Sequence, residues 1–160
     1  MLTTFVPLTE RALRWLQALG HVLDLAIRLY VAEVFFRSGI LKITRWDSTL
    51  YLFSNEYHVP LLPPHVAAVL GTFGELFFPA LLILGLFTRV AALGLFAVNL
   101  LAVVSYWHVL GQDGYEAALA QHVLWGYMLA VVLLCGAGAL SLDHLLEKRA
   151  GRAGSAPLTN

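Results

Sequence analysis

The sequence predicts an all-α integral membrane protein: a four-helix transmembrane bundle with both termini cytoplasmic and a long outer first connection. Three observations lead there. Charged residues make up 12% of the 160-residue chain, about half the share of a soluble domain, and mean hydropathy is +0.76. Four apolar stretches, Val22–Ile43, Val66–Phe87, Val90–Trp107 and His122–Leu142, each suit a hydrocarbon core that needs about 20 helical residues. Lys and Arg are unevenly spread. Arg11 and Arg14 precede the first stretch, Arg89 follows the second, and Lys148, Arg149 and Arg152 follow the fourth. The third connection has none, and the first has only Lys42 and Arg45 at its start. The positive-inside rule then places both termini in the cytoplasm.

Taken in order, residues 1–21 read as an amphipathic segment. Thr9 is a candidate cap for TERALRWLQALG, whose Glu10, Arg11, Arg14 and Gln17 oppose Leu13, Trp15, Leu16 and Leu19. Such a stretch either lies in the membrane interface or extends the first helix into the cytoplasm. No cleavable leader is expected, because these residues lack an apolar run ending at small residues. Residues 22–146 hold the four spans. The long connection TRWDSTLYLFSNEYHVPLLPP (44–64) is aromatic and interfacial, with a short outer helix and three prolines that set the entry to span two. GLFTRV (85–90) is a tight turn, and HVLGQDGYEAALAQ (108–121) is the third connection. Residues 147–160 are expected to be a disordered cytoplasmic tail.

Small residues recur at packing intervals, Ala67, Gly71 and Gly74, then Ala91, Gly94 and Ala97, then Gly126 and Ala130. They permit the close backbone approach on which helix association in lipid relies. Cys135, the one cysteine, reads as a small apolar core residue of span four. A formal net charge of zero without a basic cluster excludes nucleic acid as a partner.

Charges inside the spans are the informative exceptions, because one at mid-bilayer usually faces a protein interior or a functional path. Glu33 and Arg37 share a helical face with Ala26 and Tyr30, while Asp24, Arg28 and Lys42 fall on the other side. Those three can pair or snorkel near the boundaries. Glu75 lies mid-span two, one turn before Pro79, which leaves the carbonyl of residue 75 without its helical amide. Asn99 and Tyr127 occur at comparable depth in spans three and four. One buried site can thus collect Glu33, Arg37, Glu75, Asn99 and Tyr127, either as polar glue or as a ligand and proton site in which two acids face one base. Four histidines, His58, His65, His108 and His122, gather on the outer side under this topology. They are either interface-seeking rings or ligands for copper, zinc or haem.

Several of these residues also carry a family likeness. Arg28, the G-x-x-K of Gly39–Lys42, the prolines before span two, Glu75 in GELFFPALLILGLFTR, and GAGALSLD (136–143) resemble the DoxX family of small four-helix bacterial membrane proteins. The likeness covers about residues 22–146. The long first connection looks like a subgroup feature, and Glu33 and Arg37 are not general family positions. The resemblance implies a four-span bundle in the bacterial cytoplasmic membrane. It further implies a subunit of a redox system, associated with quinone or a partner oxidoreductase, as in the quinone-linked thiosulfate oxidation from which the family takes its name. Some similar members are encoded beside copper-related peptide-modification genes, which would suit an outer metal role. No Gly-rich phosphate loop or CxxC occurs, so stand-alone catalysis is not expected. Two rival expectations stand beside this one: a copper-related membrane protein using the outer histidines, and a non-catalytic structural or assembly partner without a ligand. The expected protein partner is an oxidoreductase subunit or a second copy of the chain.

Overall fold

The computed structural model describes the backbone of residues 5–154 and the side chains of residues 10, 11 and 13–150. Regular structure among them is entirely helical: α1 (Phe5–Thr44), α2 (Trp46–Asn55), α3 (Pro64–Leu84), α4 (Thr88–Ser105), α5 (Trp107–Leu110), α6 (Glu116–Cys135) and α7 (Leu142–Gly154). Helices α3, α4 and α6 are long and apolar enough to cross a membrane. Helix α1 is 40 residues long, but Asp24, Arg28, Glu33, Arg37 and Lys42 set it apart from that class. It nevertheless packs on α3 and α6, while α4 packs on both α3 and α6, so the four long helices form a closed ring.

Val31, Ala32 and Phe35 of α1 meet Leu82 of α3, Ala91, Ala92 and Leu95 of α4, and Leu129 and Val132 of α6 in one core. Small residues allow the approach, as expected. Gly94 lies under the Phe78 ring, where any Cβ would collide with it. Phe73, Phe77, Leu100 and Leu134 point outward. Apolar side chains on the outside of helices with an apolar core are what a lipid solvent selects.

Local chemistry accounts for most element ends. Pro63 and Pro64 occupy the N-cap and first position of α3, where the missing amide costs nothing. The long first connection holds the expected short helix, α2, whose Thr49 and Phe53 are buried. Several boundaries differ from expectation. The segment before residue 21 is the start of one continuous α1, so Thr9 lies within a helix instead of capping one. The fourth long helix is Glu116–Cys135, displaced from His122–Leu142, because Gly136 and Gly138 adopt φ of 84° and 59° and end it. Cys135 is therefore an exposed helix terminus and not a core residue. The tail is helical to Gly154, in keeping with the strong helix formers Glu147, Lys148, Arg149 and Ala150. Residues 155–160, the rest of the expected disordered tail, lie outside the described residues.

A buried arginine ties the ends of these elements together. Arg28 is fully buried. Its Nε donates to Asp24 at 3.1 Å, and its terminal nitrogens donate to the carbonyls of Leu82 at 3.2 Å and Leu140 at 2.7 Å. It thus holds the C-terminal end of α3 against the segment before α7. Gly85 ends α3 with φ 64°, and a Cβ there would lie 2.9 Å from Ser141 Cα, so only glycine meets both demands. Asp143 completes the knot. Its carboxylate accepts from the amides of Phe87 at 2.8 Å and Thr88 at 2.9 Å, capping α4 from a distant part of the chain. Ser141 Oγ accepts from the amide of His144 and caps α7. The GAGALSLD stretch is therefore a structural clasp.

Burial pushes the Asp143 carboxyl upward, but the Thr88 and Phe87 amides and the Arg28 charge outweigh it and hold the group below its ordinary value. A carboxyl whose folded value is depressed stabilises the fold above its unfolded value, and loses that effect as pH falls through the folded one. Asp143→Asn should lower stability in mild detergent by about 1 kcal/mol at neutral pH. The gap to wild type should close below about pH 4, as read by thermal unfolding; a pH-independent gap contradicts the assignment. Arg28→Met should cost about 3–5 kcal/mol, because Asp24 and two carbonyls lose their partner. Arg28→Lys, lacking the fork, should recover only part of that loss.

Candidate functional site

Helices α1 and α3 run antiparallel: Arg28 meets Leu82, whereas Gly39 and Lys42 meet Glu75. Spacings of three and four put Val31, Phe35, Ser38, Gly39 and Lys42 on the inner face of α1. Gly39 lets the helices close, since a Cβ there would stand 2.8 Å from Leu76 Cγ. Lys42 Nζ then donates to both Glu75 carboxylate oxygens, at 2.6 and 2.8 Å, and to Ser38 Oγ at 2.8 Å. All three ammonium donors are used. The side chains are 19% exposed for Lys42 and 9% for Glu75, so the pair is largely cut off from solvent. Each charge makes the other tolerable there.

The pair forms part of the wall of a cavity of about 540 Å³, within the usual range for small-molecule sites. Its lining is mainly apolar and aromatic, with Phe35, Phe53, Phe78 and Trp125, and with room left by Gly71, Gly94 and Ala97. The polar groups are few: Lys42, Glu75, Ser38, Tyr57, Ser105, Tyr106 and His122. Tyr57 stands edge-on between Phe53 and Tyr106, at 5.0 and 5.3 Å. Burial, then the neighbouring Tyr106, Glu75 and Glu56, push its phenol above the ordinary value, so it is a neutral hydroxyl. His122 Nδ1 donates to Asn99 Oδ1 at 2.8 Å, and Asn99 Nδ2 donates to the His122 carbonyl at 2.9 Å. Because an amide oxygen only accepts, this bond fixes the proton on Nδ1 and leaves Nε2 as the acceptor of the neutral ring.

These contacts redistribute the residues expected to form one intramembrane site. Glu75 lies at the cavity, but its base is Lys42, which sequence reasoning placed at the outer boundary. Glu33 and Arg37 pair with each other at 2.6 Å on the outside of α1, with side chains 56% and 80% exposed. Glu33 and Arg37 share one face, as the helical period requires, but the face of α1 that turns inward is the opposite one, which bears Arg28 and Lys42. Asn99 is buried polar glue between α4 and α6. Tyr127 is 70% exposed and lines an open outer groove between those helices. Asp24–Arg28, Glu33–Arg37 and Lys42–Glu75 are each matched, so the expected unmatched acid is not found among the described residues.

The four histidines expected on the outer side do not come together in one group either. His58 and His108 face each other, with Nδ1 atoms 3.3 Å apart. His65 packs edge-on to Trp46 at 6.4 Å, and His122 belongs to the cavity wall. Among the described residues, no three His, Cys, Asp or Glu side chains are grouped to hold a metal. Ser38, Tyr57 and Trp125 also line the cavity, and are not among the site residues expected from the sequence. The signal for Ser38 was present in its S-G-x-x-K spacing along the apolar face; the other two are joined to it only by the fold.

Comparison with known proteins agrees with the fold. The DoxX family model matches residues 23–108, more than half of the chain, and stops before the clasp at 136–143. An uncharacterized protein of Haemophilus influenzae is 30% identical over 141 residues, covering 83% of this chain and 89% of that one. No solved structure matches. With three apolar helices long enough to cross a bilayer, this multi-pass membrane protein belongs to the DoxX family.

Proposed function

We propose that the cavity binds the ring and first tail segment of a lipid-soluble redox molecule such as a quinone, on behalf of a partner oxidoreductase. The observation that carries this reading is the setting of the Lys42–Glu75 pair in a wall otherwise mostly aromatic and aliphatic. Such a wall suits the body of a ring, and the ion pair, Tyr57 and His122 suit its oxygens. To hold a ring, one of the two Lys42 donors now directed at Glu75 would turn to a carbonyl oxygen, and the Glu75 oxygen it leaves would accept from the hydroxyl formed when that oxygen is reduced. The two electrons would come from the partner oxidoreductase, and the two protons of the quinol from water on the side of the membrane to which the cavity opens. In this reading α1 is a fourth span of the bacterial cytoplasmic membrane, its inner charges screened by α3, and both termini are cytoplasmic.

Gently purified protein should release quinone on organic extraction. Ser38→Ala, Tyr57→Phe and Glu75→Gln should each weaken binding of a short-tailed quinone analogue, with Glu75→Gln weakening it at least about tenfold. Glu33→Gln should leave binding unchanged. Equal binding by wild type and Glu75→Gln would overturn the reading. The pair also has a separable structural effect. Lys42→Met alone should cost about 3–5 kcal/mol, whereas Lys42→Met with Glu75→Leu should recover most of it, as measured by a double-mutant cycle on unfolding.

A second reading rests on the facing His58 and His108 rings. Two imidazoles with opposed nitrogens can hold a copper ion at the outer mouth. His58→Ala with His108→Ala should then abolish copper retained after dialysis, by elemental analysis, while His65→Ala leaves it intact. Equal copper in all three proteins would exclude this pair.

A further inference from the structure

The Glu33–Arg37 pair is costly where it stands. Along the antiparallel α1–α3 register it falls between Arg28, level with Leu82, and Gly39, level with Leu76. That places it beside the second half of α3, one of the apolar helices long enough to cross a membrane. Both side chains are mostly exposed there, and a charge turned to lipid within the hydrocarbon core is unfavourable unless it finds a protein partner. Their mutual contact leaves most of the five guanidinium donors and several carboxylate lone pairs unused. The pair is also part of a pattern. Ala26, Tyr30, Glu33, Arg37, Ile40 and Thr44 are all exposed, at alternating spacings of four and three. That is the repeat of a helix-to-helix seam. The opposite side of α1, with Val31, Ala32, Phe35 and Gly39, is already occupied by the bundle.

We propose that this seam joins two copies of the chain, α1 against α1, about a two-fold axis along the membrane normal. The inference rests on α1 being a membrane span. Charge complementarity selects a second copy as the occupant. An isologous contact repeats one patch on both sides, and this patch holds one acid and one base a turn apart, so it complements itself. Two copies inserted in the same direction place the Glu33 Cα of each about 6 Å along the axis from the Arg37 Cα of the other, a step the arginine side chain already spans within one copy. Four charges then close into a neutral layer away from lipid.

In a Cys135→Ala background, Tyr30→Cys should give a disulfide-linked dimer on mild oxidation in native membranes. Differently tagged copies should co-purify in mild detergent. Glu33→Arg and Arg37→Glu should each abolish pairing, since each brings four like charges together. Co-expressed, the two should pair with each other, a rescue that misfolded variants would not show. The proposal is overturned if tagged wild-type copies neither crosslink nor co-purify. It is equally overturned if the single variants still pair with themselves, if the mixed variants fail to pair, or if Tyr30→Cys links only to a different protein. Labelling of Tyr30→Cys by a membrane-impermeant maleimide separates the two levels. Labelling as fast as at Asp113→Cys shows that α1 is outside the bilayer and removes the four-span topology too. Protection without dimers refutes the pairing alone.

Discussion

Each acid and base on the inner half of α1 has to be matched within the protein, and the way they are matched organises the rest of the molecule. Asp24 and Arg28 pair inside, near one end of the bundle; Lys42 is matched by Glu75 of α3. These two anchor points set the antiparallel register of α1 on α3. The core residues between them, Val31, Ala32 and Phe35, then fall against α4 and α6. A buried charge without a partner would cost several kcal/mol. A slip of α1 by one residue is therefore penalised at both ends at once.

From Arg28 the same constraint reaches the end of the chain. Its fork grips the last turn of α3 and the turn before α7. That turn delivers Asp143 to the N-terminus of α4. A carboxylate at the positive end of a helix is favourable, and here it also fastens the chain beyond α6 to the α3–α4 corner. Glycines at 85, 136 and 138 supply the positive φ angles that the corner and turn need. The other anchor, Lys42–Glu75, holds the cavity together. It fixes two walls while Gly71, Gly94 and Ala97 keep the space beside them open. One face of one helix thus supports both a structural clasp and a candidate binding site.

The amino-acid sequence by itself determined the all-helical membrane class, most helix positions, the small-residue packing and the family, because hydropathy, proline and glycine act locally. It also determined which residues share a face of α1, since a helical period requires nothing but the helix. It did not determine which face turns inward. Glu33 and Arg37 are as plausible as Arg28, Ser38 and Lys42 on periodicity alone, because both faces of α1 mix apolar and charged residues. Tertiary structure decided that question through partners far away in the chain: Glu75, Leu82 and Leu140 lie 33, 54 and 112 residues from the bases they meet. Only when α3 and the α7 corner are in place does the inner face of α1 become the one on which a buried charge can be satisfied.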